Sequence, residues 1–388
     1  MDIKNRNLFR TTRFILLKAP GLFKFLAKSR APKKRLLIIK TDAIGDYILF
    51  RNFIEVVRHS AVFKDYKIDL LGNKLWQDLA LHYDGPFIDE FLFVGPDDLY
   101  ESPIKTIKLG RTLYKKKYQI VLQPSFSRTL INDAMAGFTT AKQTIGFQGD
   151  TERINIKYNT KTDKFYSQLL NLPPGIDFEF ERSRFFFERV LKQPVTISGP
   201  FIPCENKIKQ GVVIFPGAGV FKRAWEAEKF LELIKLIKQH TSTPVCIAGG
   251  PAEIQIGDYL TANLPPYAVD NLIGNTTLPQ LIELIGNSSL IIANETSAVH
   301  IAAATQTKAI CILGGGHFGR FAPYPGHIIS KPLCVYEKMD CFNCNWDCIY
   351  QIAGNMPYPC ISCIRLRKSM ADHIVVIATI NNPIKTYL

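Results

Sequence analysis

Along this chain, short blocks of apolar residues alternate with stretches in which apolar positions recur every third or fourth residue. The blocks "LLIIK" (36–40), "KIDLLG" (67–72), "DEFLFV" (89–94), "YQIVLQ" (118–123) and "QTIGF" (143–147) read as strands. Helical periodicity lies between them, near 46–60, 74–82, 103–115 and 128–138. Strands separated by helices of this length predict a parallel, helix-covered sheet. A less regular region over 150–205 follows, and then the rhythm restarts. "GVVIFP" (211–216), "PVCIAG" (244–249), "LIIAN" (290–294) and "AICILG" (309–314) are the next strands, with helices near 225–240, 252–262, 277–286 and 297–305. The pattern divides the chain into a first α/β domain over 35–190 and a second over 205–365, joined through roughly 185–208. A final helix over 366–388 could return to the first domain. Doubly wound sheets bind ligands at the carboxyl ends of their strands, so two such domains facing each other place the expected site in the cleft between them.

Composition narrows the class. With 388 residues, 47% of them hydrophobic and 21% charged, the chain has the makeup of a globular protein with more than one core. No apolar run approaches the ~18–20 residues that cross a bilayer. The N-terminal run "FILL" (14–17) is broken by Lys18, which argues against a secretory signal and for a cytoplasmic protein. The formal charge of +14 is concentrated in residues 1–34 and Arg35, where eleven Lys/Arg face one acid, Asp2. Phe9, Phe14, Leu16, Leu22, Phe23 and Phe25 are interleaved with those bases, and Pro20-Gly21 is expected to divide two short helical stretches. This basic amphipathic arm reads as a segment lying on an anionic membrane surface, peripheral to the inner face of the inner membrane. Its large aliphatic and aromatic content disfavours nucleic acid, which would use the same charges. A tail docked on the core is the plainer reading.

Six of nine cysteines fall within 30 residues, as a Cys-rich insert over 334–363. Cys341, Cys344, Cys360 and Cys363 form two C-x₂-C pairs separated by 15 residues, a spacing compatible with a structural zinc or iron site. Free thiols in a packed subdomain are the alternative.

Three segments sit where ligand loops belong. "TDAIGD" follows the first strand, "FPGAGVFKRAWEAEKF" (215–230) follows the first strand of the second half, and "NETSAVHIAAA" (294–304) follows a later one. The first lacks G-x-G-x-x-G, which argues against a dinucleotide-dependent oxidoreductase. Together these segments resemble glycosyltransferase family 9, the bacterial heptosyltransferases of the lipopolysaccharide inner core. Thr41, Gly45 and Asp46 match the family's T-x-x-G-D turn. Pro216, Gly217, Ala218, Lys222, Arg223, Trp225, Glu228 and Phe230 match its P-G-A…K-R-W block. Asn294, Thr296, His300, Ala302, Ala303 and Ala304 match its terminal block. Where the family has Asp-Thr-Gly, this chain has Glu295-Thr296-Ser297, and Ala224 loosens the K-R-W spacing.

The resemblance implies a GT-B fold, two Rossmann-like domains with the acceptor bound in the first and the nucleotide-sugar donor in the second. It further implies inversion at the transferred carbon with no cofactor required. ADP-heptose is the implied donor, and a lipid-linked saccharide of lipopolysaccharide type is the implied acceptor. Another donor, a protein acceptor, or a non-catalytic membrane- or RNA-binding module on a transferase scaffold are the alternatives.

Sugar transfer from a nucleoside diphosphate requires a base for the acceptor hydroxyl and positive charge for the leaving group. Asp46 is the candidate base, with capping of the following helix as the competing role. Asp42 reads as a turn residue. Lys222 and Arg223 lie just before a helix, where the dipole disfavours cations, and so suggest an anionic ligand. Gly217 would let the ligand approach closely. Glu295, Thr296 and Ser297 are expected to meet donor phosphate or sugar, with His300 one helical turn further on.

Overall fold

The computed structural model describes residues 4–204, 209–354 and 356–366. It contains two compact units, one over Met1–Ile197 and one from Ser198 onward. In the first unit the strands are β1 (Arg35–Lys40), β2 (Lys67–Asn73), β3 (Glu90–Val94), β4 (Ile120–Gln123), β5 (Gln143–Phe147) and β6 (Gln168–Leu170). Its helices are α1 (Arg6–Leu26), α2 (Ile44–Phe50), α3 (Asn52–His59), α4 (Gln77–Tyr83), α5 (Pro96–Tyr100), α6 (Pro103–Lys115), α7 (Leu130–Thr139), α8 (Ile156–Thr162) and α9 (Glu179–Leu191). The second unit has strands β7 (Val212–Phe215), β8 (Val245–Ile247), β9 (Asp270–Asn271), β10 (Leu290–Asn294), β11 (Lys308–Ile312) and β12 (Leu333–Val335). Its helices are α10 (Ala227–His240), α11 (Ile254–Ala262), α12 (Leu278–Gly286), α13 (Ser297–Ala304) and the single turn α14 (Pro359–Ser362).

Each unit carries one six-stranded sheet, and every strand pair in both is parallel. The orders are β3-β2-β1-β4-β5-β6 and β12-β11-β10-β7-β8-β9. Counted from its own first strand, each is the doubly wound order 3-2-1-4-5-6. The direction of winding reverses between β1 and β4 in one unit and between β7 and β10 in the other. Helices diverge at such a reversal, which opens a crevice at the carboxyl ends of those two strands. The motif loops follow β1, β7 and β10, so each unit's sequence motifs fall at its own crevice.

Two expectations from sequence are corrected. Pro20 does not divide the N-terminal segment: α1 runs unbroken for 21 residues with Pro20 inside it. The lost backbone hydrogen bond is offset by packing, since Leu16 and Pro20 are buried and Phe23 meets Phe138 edge-on at 5.2 Å. Thus α1 is docked on the first unit through one face. The second correction is the region 150–205, which is not irregular but holds α8, β6 and α9. Helix α9 buries Phe180, Phe186 and Phe187, and the Phe187 ring stacks on Phe53 at 5.4 Å. The expected helix over 366–388 lies, apart from Leu366, outside the described residues.

Candidate active site

In the first unit, the turn after β1 is pinned by side chains from β2, the turn that follows it, and α7. Asn73 Nδ2 donates to the Thr41 and Asp42 carbonyls (3.0 and 3.3 Å), and Trp76 Nε1 also donates to the Asp42 carbonyl (3.0 Å). The Thr41 hydroxyl donates to Asn132 Oδ1 at 2.7 Å. Fixing the backbone in this way sets where the two carboxylates of the turn can go.

Their surroundings differ. Asp42 lies 3.0 Å from Lys40 Nζ, accepts from the Ser125 hydroxyl, and has the Arg153 guanidinium 3.5 Å away. Burial opposes its charge, but Lys40 and Arg153 outweigh burial and hold its carboxyl well below the usual carboxylate range. Asp46 is 7% exposed and, among the described residues, has no hydrogen-bond or ion-pair partner. Burial, reinforced by the Asp42 charge and only partly opposed by Lys40, pushes its carboxyl up to about 6. Capping does not explain Asp46 either. The N-cap of α2 is Ala43, without a side-chain cap bond, and Asp46 lies inside the first turn. Asp42 lies in the turn as expected, and its charge adds to the burial that raises Asp46.

Sequence reasoning missed the residues that create this contrast. Lys40 is 1% exposed at the end of β1, and Glu179, 2% exposed at the start of α9, lies 4.0 Å from its ammonium. Ser125 and Arg153 arrive from loops 83 and 111 residues away from Asp42. Gln123, at the end of β4, is fully buried with no protein partner among the described residues for either amide atom. The one available signal was Lys40, a cation closing an otherwise apolar strand.

In the second unit, Asn294 at the end of β10 is 0% exposed and ties the loop after β7 in place. Its Nδ2 donates to the Pro216 and Gly217 carbonyls (2.9 and 3.1 Å), and its Oδ1 accepts from the Trp225 amide (2.9 Å). A Cβ at Gly217 would overlap the Glu253 side chain, which would have to move. Lys222 and Arg223 lie in a single turn over Phe221–Arg223, and the Arg223 guanidinium stacks on the Trp346 ring at 4.4 Å. Glu295 is partly buried. Desolvation raises its carboxyl to about 8 against the opposing pull of Arg223, so at neutral pH it is a hydrogen-bond donor. Thr296 is the N-cap of α13 and makes no side-chain cap bond, and Ser297 opens the helix. The leading amides of a helix lack intrahelical partners, which makes the 296–298 turn suited to phosphate oxygens. His300 is turned inward. Its Nδ1 is bonded to the Tyr324 hydroxyl at 2.8 Å, and burial lowers its pKa to about 4, so it is a neutral ring packed beneath the turn.

The Cys-rich segment braces this loop. Its Tyr358 amide donates to the Lys222 carbonyl (2.8 Å), Trp225 Nε1 donates to the Ile364 carbonyl (2.9 Å), and Lys229 Nζ donates to those of Ser362 (2.8 Å) and Ile364 (3.1 Å). Trp346 packs against Gly316 so closely that a Cβ there would penetrate the indole. Among the described residues no group of three or more His, Cys, Asp or Glu side chains is placed to hold a metal ion. Cys360 is buried beside Cys341, Cys344 and Cys348, whereas Cys363, at the end of α14, is exposed.

The chain belongs to glycosyltransferase family 9 (heptosyltransferase), whose model matches residues 106–345. It is 29% identical over 129 residues to lipopolysaccharide heptosyltransferase 3 of Escherichia coli (strain K12), a stretch that spans 33% of this chain and 38% of that relative. Among solved structures it is similar to E. coli ADP-heptose lps heptosyltransferase II, with a TM-score of 0.64 at 16% identity, covering 88% of this chain and 97% of that one. It is also similar to E. coli heptosyltransferase WaaC with ADP-2-deoxy-2-fluoro heptose, with a TM-score of 0.60 at 14% identity, covering 78% and 92%. The α/β architecture is that of GT-B heptosyltransferases.

Proposed function

We propose that this protein is an inverting glycosyltransferase that moves a heptose from ADP-heptose to a lipid-linked saccharide of lipopolysaccharide type. Asp46 takes the proton from the acceptor hydroxyl as that oxygen bonds to the sugar carbon. The bond from that carbon to the diphosphate breaks, and its electron pair leaves on ADP. Lys222, Arg223 and the amides opening α13 receive that charge, and Glu295, protonated at neutral pH, donates to a donor oxygen without repelling the phosphates. The solved relatives that this chain resembles include one with an ADP-heptose analogue, which supports the choice of donor.

The reading is carried by Asp46, a desolvated carboxyl without a partner at the crevice of a doubly wound sheet. Holding a carboxylate in that state opposes folding, and such groups cluster at catalytic centres. The test is ADP release from ADP-heptose with a heptose-deficient lipopolysaccharide acceptor, scored with a mass increase of one heptose on the acceptor. Release that is independent of acceptor, or turnover of UDP- and GDP-sugars at the same rate, would overturn the reading.

Glu295 gives a pH dependence. Its folded pKa lies above the usual value, so the donating form is present below about pH 8 and is lost as pH rises through it. ADP-heptose affinity is expected to fall about tenfold between pH 7 and pH 9, and Glu295→Gln to remove most of that slope. Titration calorimetry at the two pH values reads both.

A further inference from the structure

The docked helix α1 leaves a second apolar face uncovered. Phe14, Lys18, Leu22 and Phe25 are spaced i, i+4, i+8 and i+11, so they share a stripe. The three apolar members are exposed, Phe14 to 64%. Beside that stripe, Ile15 lines one wall of an open groove of about 590 Å³, and α6 lines the other. The α6 wall repeats the design: Ile104, Lys108, Arg111 and Lys115 again fall on one stripe, and Ile104 is 82% exposed. Together α1 and α6 hold nine Lys or Arg and no acid. None of the nine has an ion-pair partner among the described residues. Acids on or just after α5 are Asp97, Asp98 and Glu101, the last accepting from the Lys4 and Asn5 amides.

A water-facing surface with this much positive charge would ordinarily carry polar side chains between the cations. Here it carries Phe, Leu and Ile, which cost free energy in water and gain it in hydrocarbon. With five cations along its length, α1 is not apolar enough to span a bilayer, and no described helix is. We propose that the α1–α6 face is a binding surface for an anionic phospholipid bilayer. The Phe14, Leu22, Phe25 and Ile104 side chains enter the acyl boundary, the groove receives an acyl chain, and Lys108, Arg111 and Lys115 bind headgroup phosphates. The charges supply long-range attraction that salt screens, and the apolar stripes supply attraction that salt does not. The inference stands on these residues alone and does not rest on the transfer reaction.

The test is flotation of the full chain with vesicles of phosphatidylglycerol and phosphatidylcholine, against vesicles of phosphatidylcholine alone. Binding is expected on the anionic vesicles, weakening as salt rises. Lys108→Glu/Arg111→Glu should lower the partition coefficient on the order of fivefold for each cation removed, before counting the added acids. Phe14→Ser/Phe25→Ser/Ile104→Ser should abolish the remainder that persists at high salt. All five side chains are solvent-facing, and circular dichroism with melting curves verifies that the variants fold. Equal flotation of wild type and both variants overturns the proposal, as does no preference for anionic vesicles. So does a dimer in sedimentation that Ile104→Ser dissociates, since the face would then be covered by a second copy.

Discussion

Asp46→Asn lowers kcat for heptose transfer by about 10²–10⁴-fold while leaving ADP-heptose affinity within twofold, because it removes the proton acceptor and keeps the shape. In wild type the active form is the carboxylate, so kcat at saturating donor rises with pH through about 6 and levels above it, while kcat/KM falls again above about pH 8 as Glu295 ionises. The Asn variant should lose that rise. A stability change of the opposite sense accompanies the loss of activity. A carboxyl whose folded pKa is raised favours folding only while protonated, so that contribution is present at low pH and is lost as pH rises through about 6. At pH 8 the Asn variant, which carries no charge to bury, is therefore expected to be more stable than wild type by on the order of 3 kcal/mol. At pH 4 the two should melt together. Parallel thermal melts and initial rates at both pH values decide the point. An Asn variant that is fully active, or less stable at pH 8, would remove Asp46 from the catalytic role.

Arg223→Ala is expected to reduce kcat/KM by about 10²–10³-fold, the range found when one preorganised group stabilising transition-state charge is deleted. Arg223→Lys should recover little of it. The guanidinium is held by stacking on Trp346, and a lysine ammonium on a flexible stem does not reproduce that fixed plane. Trp346→Ala isolates positioning from charge: it leaves the cation in place and should cost less than Arg223→Ala, mainly in kcat. If Trp346→Ala and Arg223→Ala prove equal, the effect belongs to the fold of the loop and not to the guanidinium.

The alternation of strands and helices was legible because nearly every long parallel strand here is buried on both faces and reads as an apolar block. What escaped was short or at an edge. Asp270–Asn271 in β9 and Gln168–Leu170 in β6 have too few apolar positions to show a period. Helix α1 escaped for another reason: proline is a breaker in isolation, and only tertiary contacts such as Phe23 on Phe138 overrule it. Within the sites, Asp46, Gly217, Lys222, Arg223 and Glu295 were visible because each sits in a compact motif after a strand. Lys40, Ser125, Arg153 and Glu179 were not, because the sheet topology collects them from four separate places. Their joint effect on Asp42 and Asp46 is a property of the fold.

The bracing of the Lys222–Arg223 loop by Trp346, Tyr358, Ser362 and Ile364 has a consequence for the order of events during synthesis. The sheet strand that launches the loop leaves the ribosome more than a hundred residues before the segment that locks it. Throughout that interval the nascent second unit can pair β7 with β8 and then with β10, yet its cations have no indole to rest on. The contacts that fix the Lys222–Arg223 loop can thus be completed only after the stretch ending at Ile364 has been synthesised.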